Sequence, residues 1–374
     1  MTKKDEAKKH YQNIKIVKLP KSKIEIEGEI STEKMDSVWK KAVSKVSENI
    51  ELPGFRKGKA PEHVIIQKVG EMPILEEAGE IALSEVYADI LIDHSVDAIG
   101  RPQVNITKLA KGNPLGFKIV TSIAPEVTLK DYKKEIEKIA EEKEDIEATE
   151  KDVDAVIDNI QNNRKQLEKQ KREKENKDAG KTEEIKDEDV PMPAFDDAFV
   201  KTIGDFKDVA DFRTKVKENI SKEKEREAKD KKRGKIIDAL VEKTEVDIPE
   251  ILVESEIEKM MAQFSDDLAR AGLKMEDYLK QIAKGIEDIK KEWLPSAEKR
   301  VKVQLALSKV AQVENIKPTE EEIEKEVDHL ISHYKDADRV RARIYIESVL
   351  VNEMVLRKLS GESMENVSTH DHQH

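Results

Sequence analysis

The chain has 374 residues, of which 40% are charged and 4% aromatic, with no cysteine and a formal net charge of -12. The missing cysteine excludes disulfide scaffolds, thiol nucleophiles and thiolate metal sites, and an acidic total argues against general nucleic-acid binding, which needs clustered Lys and Arg. The length suits about two or three domains, and an apolar share of 37%, below the ~45–50% of ordinary globular chains, favours elongated, helix-rich parts with much solvated face.

From Met1 to Lys23 there are eight lysines against Asp5 and Glu6, so one end is basic while the rest is acidic. This end lacks the apolar core of a secretory leader, and no later stretch approaches the ~18 consecutive apolar residues of a membrane span. A soluble cytoplasmic protein without a membrane partner is expected.

Lys23 to Ile30 alternates apolar and charged residues, the period of a half-buried strand. After Ser31 and Thr32 the spacing changes to three and four through Met35, Val38, Trp39, Val43 and Val46, which predicts a helix ending before Pro53 and Gly54. A short helix is expected around Val64 to Val69 and a longer one from Glu71 to Val96, then strands from Gln103 to Lys108 and Phe117 to Ile123. Strand, helices and a strand pair make an α+β domain over residues 1–127.

Lys133 to Asp189 differs in kind, with 34 of its 57 residues charged and no aromatic between Tyr132 and Phe195. One amphipathic helix is expected there, capped by Thr149 and running through Val153, Val156, Ile157, Ile160 and Leu167, followed by a solvated helix end and a flexible connector. Residues 128–189 therefore read as a charged linker.

Residues 190–360 read as a mostly α-helical domain. Phe206 to Lys243 is one long segment with a solvated middle; Pro249 opens a helix that Gly272 stops. Shorter pieces follow at Met275 to Ile282 and Ile286 to Trp293, then Ala297 to Val313, a helix capped by Thr319 and Glu322, and a last helix from Arg339 to Leu359. Composition makes residues 361–374 a disordered tail.

The string Leu52-Pro-Gly-Phe-Arg-Lys-Gly-Lys-Ala-Pro61 carries the most information. Gly54 and Gly58 with two prolines mark a loop, and Arg56, Lys57 and Lys59 surround a single ring, Phe55. An aromatic beside Arg on a loop is the composition of a binding hot spot; the other reading folds Phe55 back onto the core and leaves the cations in water. As a phosphate loop the string fails, having one residue too few between its glycines, Ala60 in place of Ser or Thr, and a helix before it instead of a strand. No nucleotide or other cofactor is expected.

His329 and His333 stand four apart, but Leu330 and Ile331 occupy the place of a zincin glutamate. They read as solvated, as do the terminal His370, His372 and His374, so no metal site is expected. Met260, Met261, Phe264 and Leu268 form an apolar helical face; methionine suits promiscuous binding, and ordinary helix packing is the competing reading.

The loop between a strand-led helix and a longer helix resembles the ribosome-binding signature of the bacterial trigger factor family, and the order of elements from Ile14 to Val127 follows that family's N-terminal domain. Val190 to Gly204, VPMPAFDDAFVKTIG, is similar to the start of its C-terminal domain. The resemblance breaks between them: the family's FKBP-type prolyl isomerase domain, some hundred residues with an aromatic-walled pocket, has no room in Lys133 to Asp189. The resemblance implies an ATP-independent chaperone without isomerase activity. It would dock beside the exit tunnel of the large ribosomal subunit, on a ribosomal protein and ribosomal RNA, through Phe55, Arg56 and Lys57, with Gly54, Gly58 and Lys59 completing the loop. Clients would be nascent or unfolded polypeptides, with Met260, Met261, Phe264 and Leu268 as candidate contacts, and a homodimer is a further partner the family allows. The alternatives are a ribosome-independent holdase, a prolyl isomerase with a reduced domain, and a helical scaffold.

Overall fold

A computed structural model describes residues 9–51, 55–56, 58, 60–142, 144, 146–178, 186, 190–334 and 336–363. In chain order the elements are β1 (Tyr11–Leu19), β2 (Lys23–Ile30), α1 (Thr32–Glu48), α2 (Glu62–Val69), α3 (Met72–Asp93), β3 (Ala98–Lys108), β4 (Leu115–Ile123) and β5 (Thr128–Leu129). Then come α4 (Lys133–Glu141), α5 (Glu150–Asp178), α6 (Asp197–Ile203), α7 (Val209–Glu242), β6 (Thr244–Glu245) and α8 (Glu250–Arg270). The last are α9 (Met275–Gln281), α10 (Ile286–Val313), α11 (Glu320–His333) and α12 (Arg339–Ser360).

These elements form two compact units, Met1–Lys130 with Val241–Glu314, and Asp131–Leu240 with Asn315–His374. The divisions expected after residues 127, 189 and 360 mark changes in composition, whereas each unit draws on two separate stretches of chain.

In the first unit an antiparallel sheet runs in the order β1-β2-β4-β3. The alternation of β2 buries Ile24, Ile26 and Ile30 against α1 and α3, which supply Val38, Ala42, Ile74, Ala78, Ala82, Val86 and Ile90 to the same core. Gly28 leaves room for its neighbours: an added Cβ would lie 2.5 Å from Ile14 Cδ1 and 2.9 Å from Phe117 Cζ, so both side chains would have to shift. Ser31 caps α1 by accepting from the Lys34 amide at 3.3 Å. Lys34 and Lys41 of α1 hydrogen-bond Glu85 of α3 at 2.7 and 2.8 Å and hold its carboxyl down to about 2.

The second stretch joins this unit through backbone pairing of β5 with β6, Thr128 opposite Glu245 and Leu129 opposite Thr244. Ser22 donates its amide to the Asp247 carboxylate at 2.9 Å, and Lys21 and Lys23 both bond Glu250, whose carboxyl they lower to about 2. Helices α8 and α10 then share Val253, Ile257 and Ala297 as a small core.

In the second unit α11 and α12 pack Ile323 and Val327 against Ala342, Ile346 and Leu350. The start of α5 packs Val153 and Ile157 against Val200 and Phe212, with Phe195 and Phe206 edge-on to Phe212 at 5.3 and 4.9 Å between centroids. A buried ionic network ties α7 to α12: Arg233 donates to both Glu353 oxygens at 3.0 and 2.7 Å and to both Glu362 oxygens at 2.9 Å. Arg357 adds a 2.7 Å bond to Glu353. Burial pushes the Glu362 carboxyl up, but bonds from Arg233, Lys229 and Ser360 outweigh it and hold the group below the usual carboxylate range.

Several expectations change. β1 adds a strand ahead of the one expected at Lys23 to Ile30. The charged middle section, expected to hold one helix, holds two: α4 buries Ile136, and α5 continues to Asp178. The pieces expected on either side of Pro295 are one helix, α10. The remainder of the expected connector, apart from Lys186, and the tail from residue 364 lie outside the described residues. Glu362, expected in that tail, belongs to the network above.

Candidate functional site

The loop between α1 and α2 is held at both ends. Asn49 caps α1 with its amide on the Val46 carbonyl at 3.1 Å. On the return, the Gly58 amide donates to the Ser47 carbonyl at 3.3 Å with Gly58 at φ 75°, a left-handed conformation that costs glycine little. Ala60 packs on the core, and Pro61 opens α2, its carbonyl accepting from Val64 and Ile65. Trp39 of α1 donates its indole N–H to Glu62 of α2 at 2.6 Å.

On this anchored loop Phe55 is 44% exposed and Arg56 is exposed. The ring is therefore not folded into the core. Gly54, Lys57 and Lys59, also expected in the site, lie outside the described residues, as do Leu52 and Pro53. A rigidly based apolar ring beside a guanidinium can anchor in a partner's pocket while the cation meets an anionic surface.

The four α8 residues are placed differently. Met260 and Met261 are half-buried against Val253, Ile257 and Ala297, and Leu268 is buried. Phe264 is half-buried and meets Tyr278 of α9 and Trp293 of α10 edge-on, with centroids 5.2 and 5.4 Å away. Helix packing thus consumes much of the face proposed from sequence. The exposed apolar side chains nearby in that unit are Leu273, Ile286 and Leu294, and the second unit exposes Tyr334, Val340, Ile344 and Tyr345. Sequence reasoning passed over these; the i,i+4 pair Val340 and Ile344 was the available signal, since it faces away from the α11-facing residues Ala342 and Ile346. A further apolar cleft of about 510 Å³ lies between α3 and β3, lined by Leu83, Tyr87, Val104, Ile106 and Ile119.

Among the described residues no group of three or more His, Asp or Glu is arranged to enclose a metal ion. No helix among them is long and apolar enough to cross a membrane.

Two family models match the chain: the bacterial trigger factor protein over residues 12–160 and the bacterial trigger factor protein C-terminus over residues 208–360. No prolyl isomerase family matches. The trigger factor of Moorella thermoacetica is 25% identical over 92% of this chain and 92% of its own length. That of Anoxybacillus flavithermus is 27% identical over 92% and 95%, and that of Listeria monocytogenes serotype 4b 28% over 88% and 93%. A solved trigger factor chaperone, described for promiscuous substrate recognition in folding and assembly, shares the fold with a TM-score of 0.54 and 18% identity, over 94% of this chain and all of that one. The exposed loop on its α+β base, the helices that follow, and models matching both regions lead to one assignment: the chain belongs to the bacterial trigger factor family.

Proposed function

We propose that this protein is an ATP-independent molecular chaperone that docks at the tunnel exit of the large ribosomal subunit and shields nascent or unfolded polypeptides. The observation that carries this reading is the Phe55-Arg56 pair, exposed on a loop whose ends are fixed to α1 and α2. Phe55 supplies an apolar anchor, and Arg56, Lys57 and Lys59 supply three positive charges toward ribosomal RNA and the adjoining ribosomal protein. An acidic protein can use an RNA-rich partner in this way because the contact is confined to one loop.

Client binding rests on scattered apolar surface: Met260, Met261 and Phe264 where half-exposed, Leu273, Ile286 and Leu294 beside them, and Val340, Ile344 and Tyr345 on α12. Leu268, being buried, contributes to the fold of that face. Weak, reversible contacts of this kind lower the concentration of exposed apolar surface without bond chemistry. Residues 161–207, between the two matched regions, are too few for a hundred-residue isomerase domain, which supports a chaperone that works without prolyl isomerisation. A cytoplasmic location, and a homodimer of the free chain, belong to this proposal; the likeness to trigger factors supports them.

Co-sedimentation with ribosomes tests docking. The variant Phe55→Ala/Arg56→Ala/Lys57→Ala is expected to lose binding by about tenfold or more while keeping its helical circular dichroism; unchanged binding overturns the reading.

A further inference from the structure

Helix α11 is strongly acidic. Glu320, Glu321, Glu322, Glu324, Glu326 and Asp328 stand against a single cation, Lys325, and its C-terminal turn carries the negative end of the helix dipole. Arg339 and Arg343 of α12 answer part of that charge, pairing with Glu320, Glu324 and Asp328. At the C-terminal turn itself stand two exposed imidazoles, His329 and His333.

Their rings are side by side, with centroids 4.5 Å apart and planes at 41°. The Ser332 hydroxyl lies 2.7 Å from the His329 carbonyl and 3.1 Å from His333 Nδ1, and that same Nδ1 lies 3.0 Å from the carbonyl. A hydroxyl has one proton, and here it goes to the carbonyl. His333 Nδ1 then carries its own proton as a donor, which leaves the lone pair on Nε2. A ring N–H donated to a backbone carbonyl is the usual outer support of a metal-bound histidine.

We propose that His329 and His333 form a two-imidazole chelate for one late first-row divalent ion of the Zn²⁺ or Ni²⁺ class, with water completing its coordination. Imidazole nitrogen selects these ions over Mg²⁺ and Ca²⁺, which prefer oxygen. A cation bridging residues four apart binds only when the last turn of α11 is helical, so the ion stabilises that turn and the α11-α12 pair by mass action. This site is independent of the chaperone reading.

The terminal His370, His372 and His374 are alternative ligands, so the test uses the full chain with all three replaced by alanine. Titration calorimetry with zinc chloride is expected to give one ion per chain, with ring-nitrogen NMR signals of His329 and His333 both shifting. His329→Ala and His333→Ala are each expected to weaken binding about tenfold or more, with unchanged circular dichroism in the absence of metal. The proposal is overturned if the tail-cleared chain takes up no zinc. It is equally overturned if the double variant His329→Ala/His333→Ala binds zinc as tightly as its parent.

Discussion

Gly100 lies in β3 at φ +74°, and a methyl group there would stand 2.0 Å from Ile251 Cδ1 of α8. Gly112 has nearly the same angle, +73°, with nothing within 4 Å of an added methyl. Both positions resist a side chain through backbone strain, but only Gly100 also requires Ile251 to move. Gly112→Ala is expected to cost about 1 kcal/mol and Gly100→Ala about 2–4 kcal/mol, the excess being the overpacking. Urea denaturation of the two variants measures the difference, and equal losses would show that Ile251 gives way freely. The same scale shows why the candidate site was only half legible. Phe55 and Phe264 are both apolar rings followed by polar residues, and sequence assigns binding to each. The structure exposes Phe55 on a loop, whereas Phe264 is closed on by Tyr278 and Trp293, partners 14 and 29 residues away that no local pattern connects to it.

Elements with an unbroken period were readable and those with a defect were not. β2 alternates cleanly and α1 keeps its three-and-four spacing behind the Ser31 cap, so both were legible. β1 is interrupted between Gln12 and Lys15, with Asn13 at φ 58°. That bulge shifts which side chains share a face, so its alternation fades. α10 runs through Pro295, which removes one amide donor, because Ile289 before it and Ala297 after it are both buried; tertiary packing overrides the local signal. The network joining α7 to α12 was invisible because Arg233 and Glu362 are 129 residues apart. Glu362→Gln there is expected to cost about 2 kcal/mol at pH 7, the scale of a lost charged hydrogen bond. Since the native carboxyl titrates below its unfolded value, its contribution is complete above an ordinary glutamate pKa of about 4.3 and disappears as pH falls through the native value. The gap between wild type and variant should therefore narrow from about pH 4 downward in denaturant titrations, and a gap independent of pH would assign the loss to packing.

For the whole molecule, a net charge of -12 and the RNA-rich partner proposed above oppose one another unless the contact is small. Long-range repulsion between acidic surface and ribosomal RNA is screened beyond about 8–10 Å at physiological salt, so the proposed docking needs only a contact confined to the loop. The cations concentrated on the loop are Arg56, Lys57 and Lys59. Elsewhere among the described residues, many basic side chains are already paired, as Lys34 and Lys41 are with Glu85 and Lys224 with Asp152. Counterion release by three cations predicts a shallow dependence of ribosome affinity on salt, a slope of log K against log salt of about -2 to -3. Raising salt should also relieve body repulsion, which makes the observed slope shallower still. Measured by sedimentation over a potassium chloride series, the slope is expected to fall by about 1 in Arg56→Ala and to change little in Phe55→Ala, whose loss is apolar. A wild-type slope of about -6 or steeper would mean that a much wider basic surface docks, with the lysines of the first 23 residues the first to be replaced.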